Sequence, residues 1–410
     1  MKRTRAVHSA LAATGLLLIC GAAVAQDGEV SGSGIGIAPG LRLEPSVKSQ
    51  LWFTDNMYRS DDNETDAMGL IVEPAAVLAY SPSYGRYRLG FLGEAASFDT
   101  VDEDNYFDSQ LFLTGDLRPL LRHRFEFDAR YEHGHDAFGT NRTQGQAALR
   151  DREMDIWDET GLTVKYIFGQ SEALLNLYGR AGITGKEYDT NRQDPVNPAL
   201  GTRFLDHDST LIGGGVIYRL SAKTRFVVDV EQKDIDYDIE STPSFDGDSQ
   251  RALLGVRWLA TAKTSGEAMV GYYARNFDDD GREDVSGIDW QVRVDWRPRL
   301  RSNFTLTTGR FVRETFLLGE DFINEQYAQL GWRQDWSERL YSETELGYFQ
   351  HKFEGTSRDD DTVALRSALY YRMTRRITAK GGFEHTTRDS STTSLDFQRN
   401  VLFTGLDVAL

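Results

Sequence analysis

Apolar and polar residues alternate strictly in several stretches of this chain. In residues 124–132 every second position is apolar: Phe125, Phe127, Ala129 and Tyr131. The positions between and around them are all charged: Arg124, Glu126, Asp128, Arg130 and Glu132. Residues 288–296 and 377–384 follow the same period. Because successive side chains of a β-strand point to opposite faces, this period predicts strands with one apolar face and one polar face.

Comparable segments recur along the whole chain and predict eighteen strands. They lie near residues 42–58, 67–80, 86–98, 106–117, 122–137, 156–168, 172–188, 206–219, 223–237, 249–261, 266–277, 286–297, 302–317, 323–336, 339–353, 361–373, 376–388 and 395–410. The connections between them alternate between short, neutral or basic turns and longer, acidic loops. Short turns at one end and long loops at the other are typical of outer-membrane barrels.

The predicted fold class is therefore all-β. We expect a single closed antiparallel transmembrane β-barrel of about 18 strands over residues 41–410, with short periplasmic turns and long acidic extracellular loops. A soluble β-propeller is the alternative, but it would show blade-length repeats with a signature motif.

The first forty residues predict export. Lys2, Arg3 and Arg5 precede an apolar run, and Ala23-Val24-Ala25 is typical of a signal-peptidase site, so we expect a signal peptide over residues 1–25 cleaved between Ala25 and Gln26. Residues 26–40 are rich in Gly and Ser and predict a flexible periplasmic lead-in.

Composition excludes several classes of protein. The segment that follows Ala25 contains no cysteine and has a net charge of −20, which argues against nucleic acid as a partner. The mean hydropathy of −0.47 and the lack of an eighteen-residue apolar run after the signal argue against membrane-spanning helices.

The polar face of such a barrel must line its interior. The predicted pore-lining residues are Arg88, Arg124, Glu126, Asp128, Arg130, Arg257, Asp289, Arg293, Asp295, Arg366, Lys380 and Glu384. Barrels of 16 to 18 strands enclose an aqueous channel unless they are plugged, so the strand number predicts a pore. Charges of both signs on this face can instead pair across neighbouring strands and stabilise the wall.

Three other groups of residues suggest chemistry, although we predict no enzyme, cofactor or metal. His133 and His135 lie two positions apart on one strand, which makes a metal site conceivable. Asp206-His207-Asp208 suggests a hydrolase dyad, although adjacent residues of a strand face opposite ways. The acidic runs 278–281 and 358–361 could bind Ca²⁺ but do not match the twelve-residue calcium loop.

Three segments resemble the putative β-barrel porin 2 family of outer-membrane proteins. They are Leu43 to Tyr58, Leu70 to Ala76, and the final strand from Phe397 to Leu406 with its Arg399-Asn400 pair. The resemblance implies a porin associated with export of exopolysaccharide. The chain departs from outer-membrane barrels in general at its end, because Leu410 replaces the usual terminal aromatic residue.

The expected function is thus a passive, water-filled outer-membrane channel that exports a polysaccharide. A general solute-uptake porin is the first rival, and it would carry a constriction loop folded into the barrel; residues 139–155 and 189–205 are long enough. An outer-membrane barrel hydrolase is the second rival. The expected partners are outer-membrane lipid and lipopolysaccharide, the barrel assembly machinery, the polysaccharide and periplasmic export components.

Overall fold

The computed structural model describes residues 34–140, 143–144, 153–193, 201–239, 244–259, 261, 263–314 and 322–410. Eighteen antiparallel strands within these ranges form one closed barrel, and a short nineteenth strand precedes them. The strands are β1 (Ile35–Ala38), β2 (Leu41–Thr54), β3 (Ala67–Tyr80), β4 (Gly85–Phe98), β5 (Tyr106–Leu120), β6 (His123–Asp136), β7 (Asp155–Phe168), β8 (Leu175–Tyr188), β9 (His207–Arg219), β10 (Thr224–Tyr237), β11 (Gly247–Trp258), β12 (Thr264–Phe277), β13 (Val285–Arg299), β14 (Ser302–Glu314), β15 (Phe322–Asp335), β16 (Leu340–Glu354), β17 (Asp359–Arg372), β18 (Ile377–Ser390) and β19 (Phe397–Ala409).

Each barrel strand pairs with its neighbours in sequence, and the first and last strands close the ring. β19 pairs with β2 from Val401 opposite Thr54 to Ala409 opposite Ser46. Closure pairs the backbone groups of the first and last strands, which an open sheet edge would leave without partners in lipid. The all-β barrel predicted from the alternation is confirmed, including the number of strands in the wall.

The segment before the barrel differs from the expected flexible lead-in. Residues 26–33 lie outside the described residues, but Ile35–Ala38 form β1, which pairs with the start of β2. A two-residue turn joins these strands, and its Gly40 adopts φ +76°, a conformation that glycine accepts at little cost. Ile35 lies opposite Leu43, beyond the point where β19 ends at Ser46. β1 therefore covers the edge of β2 that the last strand leaves open.

The two ends of the barrel differ as expected. At the end that holds Leu410 the connections are between 2 and 6 residues long, whereas at the other end they are between 4 and 18. In outer-membrane barrels the short turns face the periplasm, so the long loops are extracellular. Among the described residues, no helix is long and apolar enough to span a membrane.

The two faces of the wall are chemically distinct. Along β13, Ile288 and Trp296 are exposed on the outside, whereas Asp289 between them is buried on the inside. Apolar residues exposed on the outer face recur on the other strands, as expected for a wall in contact with lipid. Some large aromatic residues near strand ends do not lie on this face: Trp52 and Trp157 are buried among inward-facing residues and do not anchor the barrel at the membrane interface.

Candidate functional site

The predicted pore-lining residues lie on the inner face of the wall, and ten of the twelve form ion pairs there. Arg124 pairs with Glu126, Arg130 with Glu159, Arg257 with Glu267, Arg251 with Asp289, Arg293 with Asp295, Arg366 with Glu384 and Lys380 with Asp407. Arg88 and Asp128 lie on the same face and are exposed. Most of these charges thus stabilise the wall by pairing along or between strands.

A dense polar network surrounds Asp229 of β10. Arg180 of β8 donates from Nη1 and Nη2 to the two oxygens of Asp229, each over 2.7 Å, and from Nη2 to Glu231 over 2.6 Å. The hydroxyl of Tyr178 also donates to Asp229. A bidentate arginine–carboxylate pair is among the strongest polar contacts in proteins, so this network fixes the wall at β8 to β10.

Two glycines on the inner face of β9 make this network possible. β9 lies between β8 and β10, so Tyr178 and Arg180 must cross it to reach Asp229. Gly213 and Gly215 lie beneath them: a Cβ at Gly213 would lie 3.0 Å from Arg180 Nε, and one at Gly215 would lie 2.5 Å from the Tyr178 hydroxyl. Gly213 and Gly215 are therefore required by a close approach on the inner face, whereas Gly214 between them faces outward.

Three inward-facing lysines on the same side of the barrel form no ion pair with a described residue. Lys165 lies with its ammonium 4.3 Å from the centre of the Tyr178 ring, and Lys186 lies 3.9 Å from that of Trp157. Lys233 of β10 is the third, and all three are half-buried. Because β7, β8, β9 and β10 are consecutive strands, the three ammonium groups lie on the same side of the lumen, where Glu126 lies opposite Lys165 and Glu159 lies opposite Lys186 on the neighbouring strands.

Extracellular loops pack against one another at the mouth of the barrel. The hydroxyl of Tyr58, in the β2–β3 loop, donates to Asp104 of the β4–β5 loop over 2.8 Å. The next residue, Arg59, donates to the backbone oxygen of Phe138, at the start of the β6–β7 connection, over 2.8 Å. Phe138 and Asp104 are buried. Three successive loops are thus folded together and not extended into solvent.

A fourth element joins them from the far side of the mouth. Arg358, immediately before β17, donates from Nη2 to Oε1 of Gln144 over 2.6 Å, although β17 is seven strands away from β6 by the shorter way round. The same guanidinium is held by Asp360, to which Nε donates over 3.0 Å, and lies 3.9 Å from the centre of the Phe353 ring. The alternation of residues carries no signal for this contact, because it reports only the face of a side chain.

Comparison with known families decides the identity of the chain. The family model of putative beta-barrel porin 2 matches residues 36–410, which is the whole barrel. The chain belongs to this porin family. It is an outer-membrane protein, and the porin fold indicates a channel rather than an enzyme. A comparison with curated proteins gives no match.

Solved structures of Pseudomonas aeruginosa porins share the fold. OccK2 (OpdF) is 11% identical, with a TM-score of 0.50 over 90% of this chain and 98% of that one. OccK2 in complex with glucuronate is 12% identical, with a TM-score of 0.49 over 90% and 98% of the two chains. OpdK with vanillate is 11% identical, with a TM-score of 0.48 over 90% and 99%. At these identities the likeness concerns the architecture of the barrel.

The possible hydrolase dyad of this porin does not form. Asp206 accepts hydrogen bonds from the Tyr188 backbone N–H over 2.7 Å and from Arg192 over 2.6 Å, which close the β8–β9 loop. Nδ1 of His207 instead lies 2.8 Å from the backbone oxygen of Leu205. Asp206 and His207 therefore make separate contacts within the loop and do not form the acid–base pair that catalysis needs.

The acidic run at 278–281 is engaged by the backbone. The Asp279 carboxylate accepts N–H bonds from Gly281 over 2.7 Å and from Ser244 over 2.8 Å, and these bonds hold the pKa of Asp279 below its usual value. This carboxylate shapes the β12–β13 loop. In the run at 358–361, Asp360 is paired with Arg358. These carboxylates have protein partners and need no Ca²⁺ to satisfy them.

Proposed function

We propose that this porin is a selective channel for the passive diffusion of small hydrophilic solutes across the outer membrane. The polysaccharide expected from the sequence is the less favoured cargo. The hydrogen bond between Gln144 and Arg358 carries the proposal. A loop folded over the mouth narrows the entrance, and a narrow entrance favours a small solute over a hydrated polymer.

The length of the chain supports a path across the mouth. Gln144 lies eight residues beyond Asp136, the end of β6. Eight residues span at most about 28 Å. The path around the wall from β6 to β17 crosses seven strand spacings of about 4.8 Å. Because the strands tilt by about 40°, this path is roughly 44 Å long. Gln144 is thus too near Asp136 in sequence to reach Arg358 along the wall, so its side chain lies over the opening.

The lumen supports a preference for anionic solutes. The ammonium groups of Lys165, Lys186 and Lys233, which form no ion pair with a described residue, lie on one side of it, whereas Asp229 and Glu231 share the guanidinium of Arg180. A water-filled passage with low-dielectric walls strengthens the effect of such charges on a passing ion. A small solute with a carboxylate or phosphate group fits this charge distribution.

Liposome swelling tests the size limit. Liposomes that contain the purified porin are placed in iso-osmotic solutions of sugars from a monosaccharide to long oligosaccharides. We expect rapid swelling with the smallest sugars and a steep decline with length. Equal swelling rates for short and long sugars would contradict the narrowed mouth.

Polysaccharide export is the second candidate, because the resemblance to the family implies it. Trp157, Tyr188 and Trp52 face inward but are buried by their neighbours, so they would stack on sugar rings only once those neighbours move aside. This function would require the Gln144–Arg358 contact to open during export. Deletion of the gene should then trap polymer in the periplasm, whereas unchanged surface polysaccharide would exclude this cargo.

A further inference from the structure

A histidine and two aspartates converge on the outer surface of the barrel, outside the lumen. His133 of β6, Asp158 of β7 and Asp189, just after β8, place their ligand atoms within 4.8 Å of one another. We propose that these three residues bind a divalent metal ion of the zinc or manganese type at the extracellular rim of the wall.

The register of three strands brings these residues together. His133 lies directly opposite Asp158 in the β6–β7 pair, and its Nδ1 is 2.8 Å from Asp158 Oδ1. Asp158 lies directly opposite Glu187 in the β7–β8 pair, two residues before Asp189. Directly opposite residues of antiparallel strands point to the same face. The cluster is therefore fixed by the wall itself, and only Asp189 comes from a loop.

The geometry suits a small divalent cation. An ion at the centre of three atoms no more than 4.8 Å apart lies at most about 2.8 Å from each, and zinc binds nitrogen and oxygen ligands at about 2.0–2.2 Å. Half-exposed side chains can close this gap by small rotations. The ligand set consists of one imidazole and two carboxylates and leaves open positions on the metal. Such a set favours a transition metal over Ca²⁺ or Mg²⁺.

A fourth residue orients the central ligand. The Tyr131 hydroxyl donates to Asp158 Oδ1 over 2.8 Å and lies on the same outer face of β6 as His133. Groups that hold a metal ligand in place commonly contribute about 10-fold to 100-fold in affinity. His135 does not belong to the cluster, because its Nδ1 is 2.9 Å from Asp108.

The position of the cluster indicates what completes the coordination. Leu162 and Ile183 are exposed on the same outer face, nearer to the short-turn end, and belong to the lipid-facing band. The cluster lies beyond this band, at the level where lipid headgroups meet the wall. The open positions on the metal therefore face water or a phosphate oxygen of a headgroup.

Metal titration of the intact porin tests the proposal. The full chain, purified in detergent without an affinity tag, is titrated with Zn²⁺ and with Mn²⁺ by calorimetry. The matched control is Asp361→Asn, because Asp361 of β17 accepts a hydrogen bond from Tyr348 over 2.6 Å on the outer face but contacts no histidine among the described residues.

We expect one equivalent of metal for the wild-type protein and for Asp361→Asn. His133→Ala and Asp158→Asn should lose this binding, and Tyr131→Phe should weaken it about 10-fold. Heat-modifiable migration on gels confirms that each variant is folded. No binding by the wild-type protein, or unchanged binding by folded His133→Ala, would overturn the proposal, whatever the conductance of the channel.

Discussion

Arg358 and Gln144 are 214 positions apart in the sequence, yet Nη2 of the arginine donates a 2.6 Å hydrogen bond to Oε1 of the glutamine at the mouth of the barrel. The arginine is anchored on its own side of the barrel, since it is paired with Asp360, which in turn accepts a hydrogen bond from Ser390 over 2.5 Å. The contact therefore ties the β6–β7 connection to a rigid support across the opening.

Removal of this arginine should widen the channel. Arg358→Gln loses the ion pair with Asp360 and the hydrogen bond to Gln144, so Gln144 is released from the mouth. We expect a larger single-channel conductance and a higher size limit in liposome swelling. Arg376→Gln is the control, because this arginine is exposed in the β17–β18 turn at the opposite end. Equal conductance of both variants and the wild-type protein would contradict the role of the contact.

Neutralising an unpaired lysine should change the ion selectivity. Lys165→Gln removes a positive charge that forms no ion pair with a described residue, so the lumen becomes less favourable for anions. In a KCl gradient the reversal potential should shift toward that of a cation-selective channel. Combining the change with Lys186→Gln should increase the shift. Lys263→Gln, in an exposed turn, should leave the potential unchanged. A shift of equal size in that control would show that total charge, not position, matters.

The Arg180 network should contribute measurably to the stability of the wall. Asp229→Asn removes one of the two negative partners of a half-buried guanidinium, which keeps Glu231, so the loss should stay below the roughly 3 kcal/mol that a fully unpaired buried charge costs. We expect the folded form to convert to the unfolded form at a lower temperature in heat-modifiability gels. Asp128→Asn should not change this temperature, because Asp128 is exposed to the lumen and bonds to no described residue.

The glycines beneath that network should not tolerate a side chain. A Cβ at Gly215 would lie 2.1 Å from the backbone oxygen of Val228 as well as against Tyr178, so Gly215→Ala forces the strands apart. Such overpacking costs about 2 kcal/mol. Gly331→Ala is the control, since its nearest neighbour would be 3.8 Å away. A lower unfolding temperature for Gly331→Ala alone would contradict this account of the β9 glycines.

Much of the architecture follows from the alternation of residues. The period of two in 124–132 and 288–296 predicts β6 and β13. The short turn 300–301 and the long connection after Asp136 predict which end of each strand lies on the periplasmic side. These features are local in sequence, and each depends only on the face to which a side chain points. The exception is β1, because Ile35–Ala38 pairs with β2 despite its Gly-rich surroundings.

Contacts that cross a strand or the lumen could not be predicted in this way. Arg180 reaches Asp229 only because β9 presents glycines between them, and Arg358 reaches Gln144 only through the closure of the ring. His133 and His135 illustrate the same limit: both were candidates for one metal site, yet the structure joins His133 to Asp158 and His135 to Asp108. The partner of a residue depends on register, which the period does not specify.

Single-channel recording in planar lipid bilayers tests the central claim most directly. The purified porin should produce stable, ohmic current steps, and Arg358→Gln should produce larger steps under the same conditions. A protein that inserts in folded form but carries no current would contradict the proposal that this barrel is a channel.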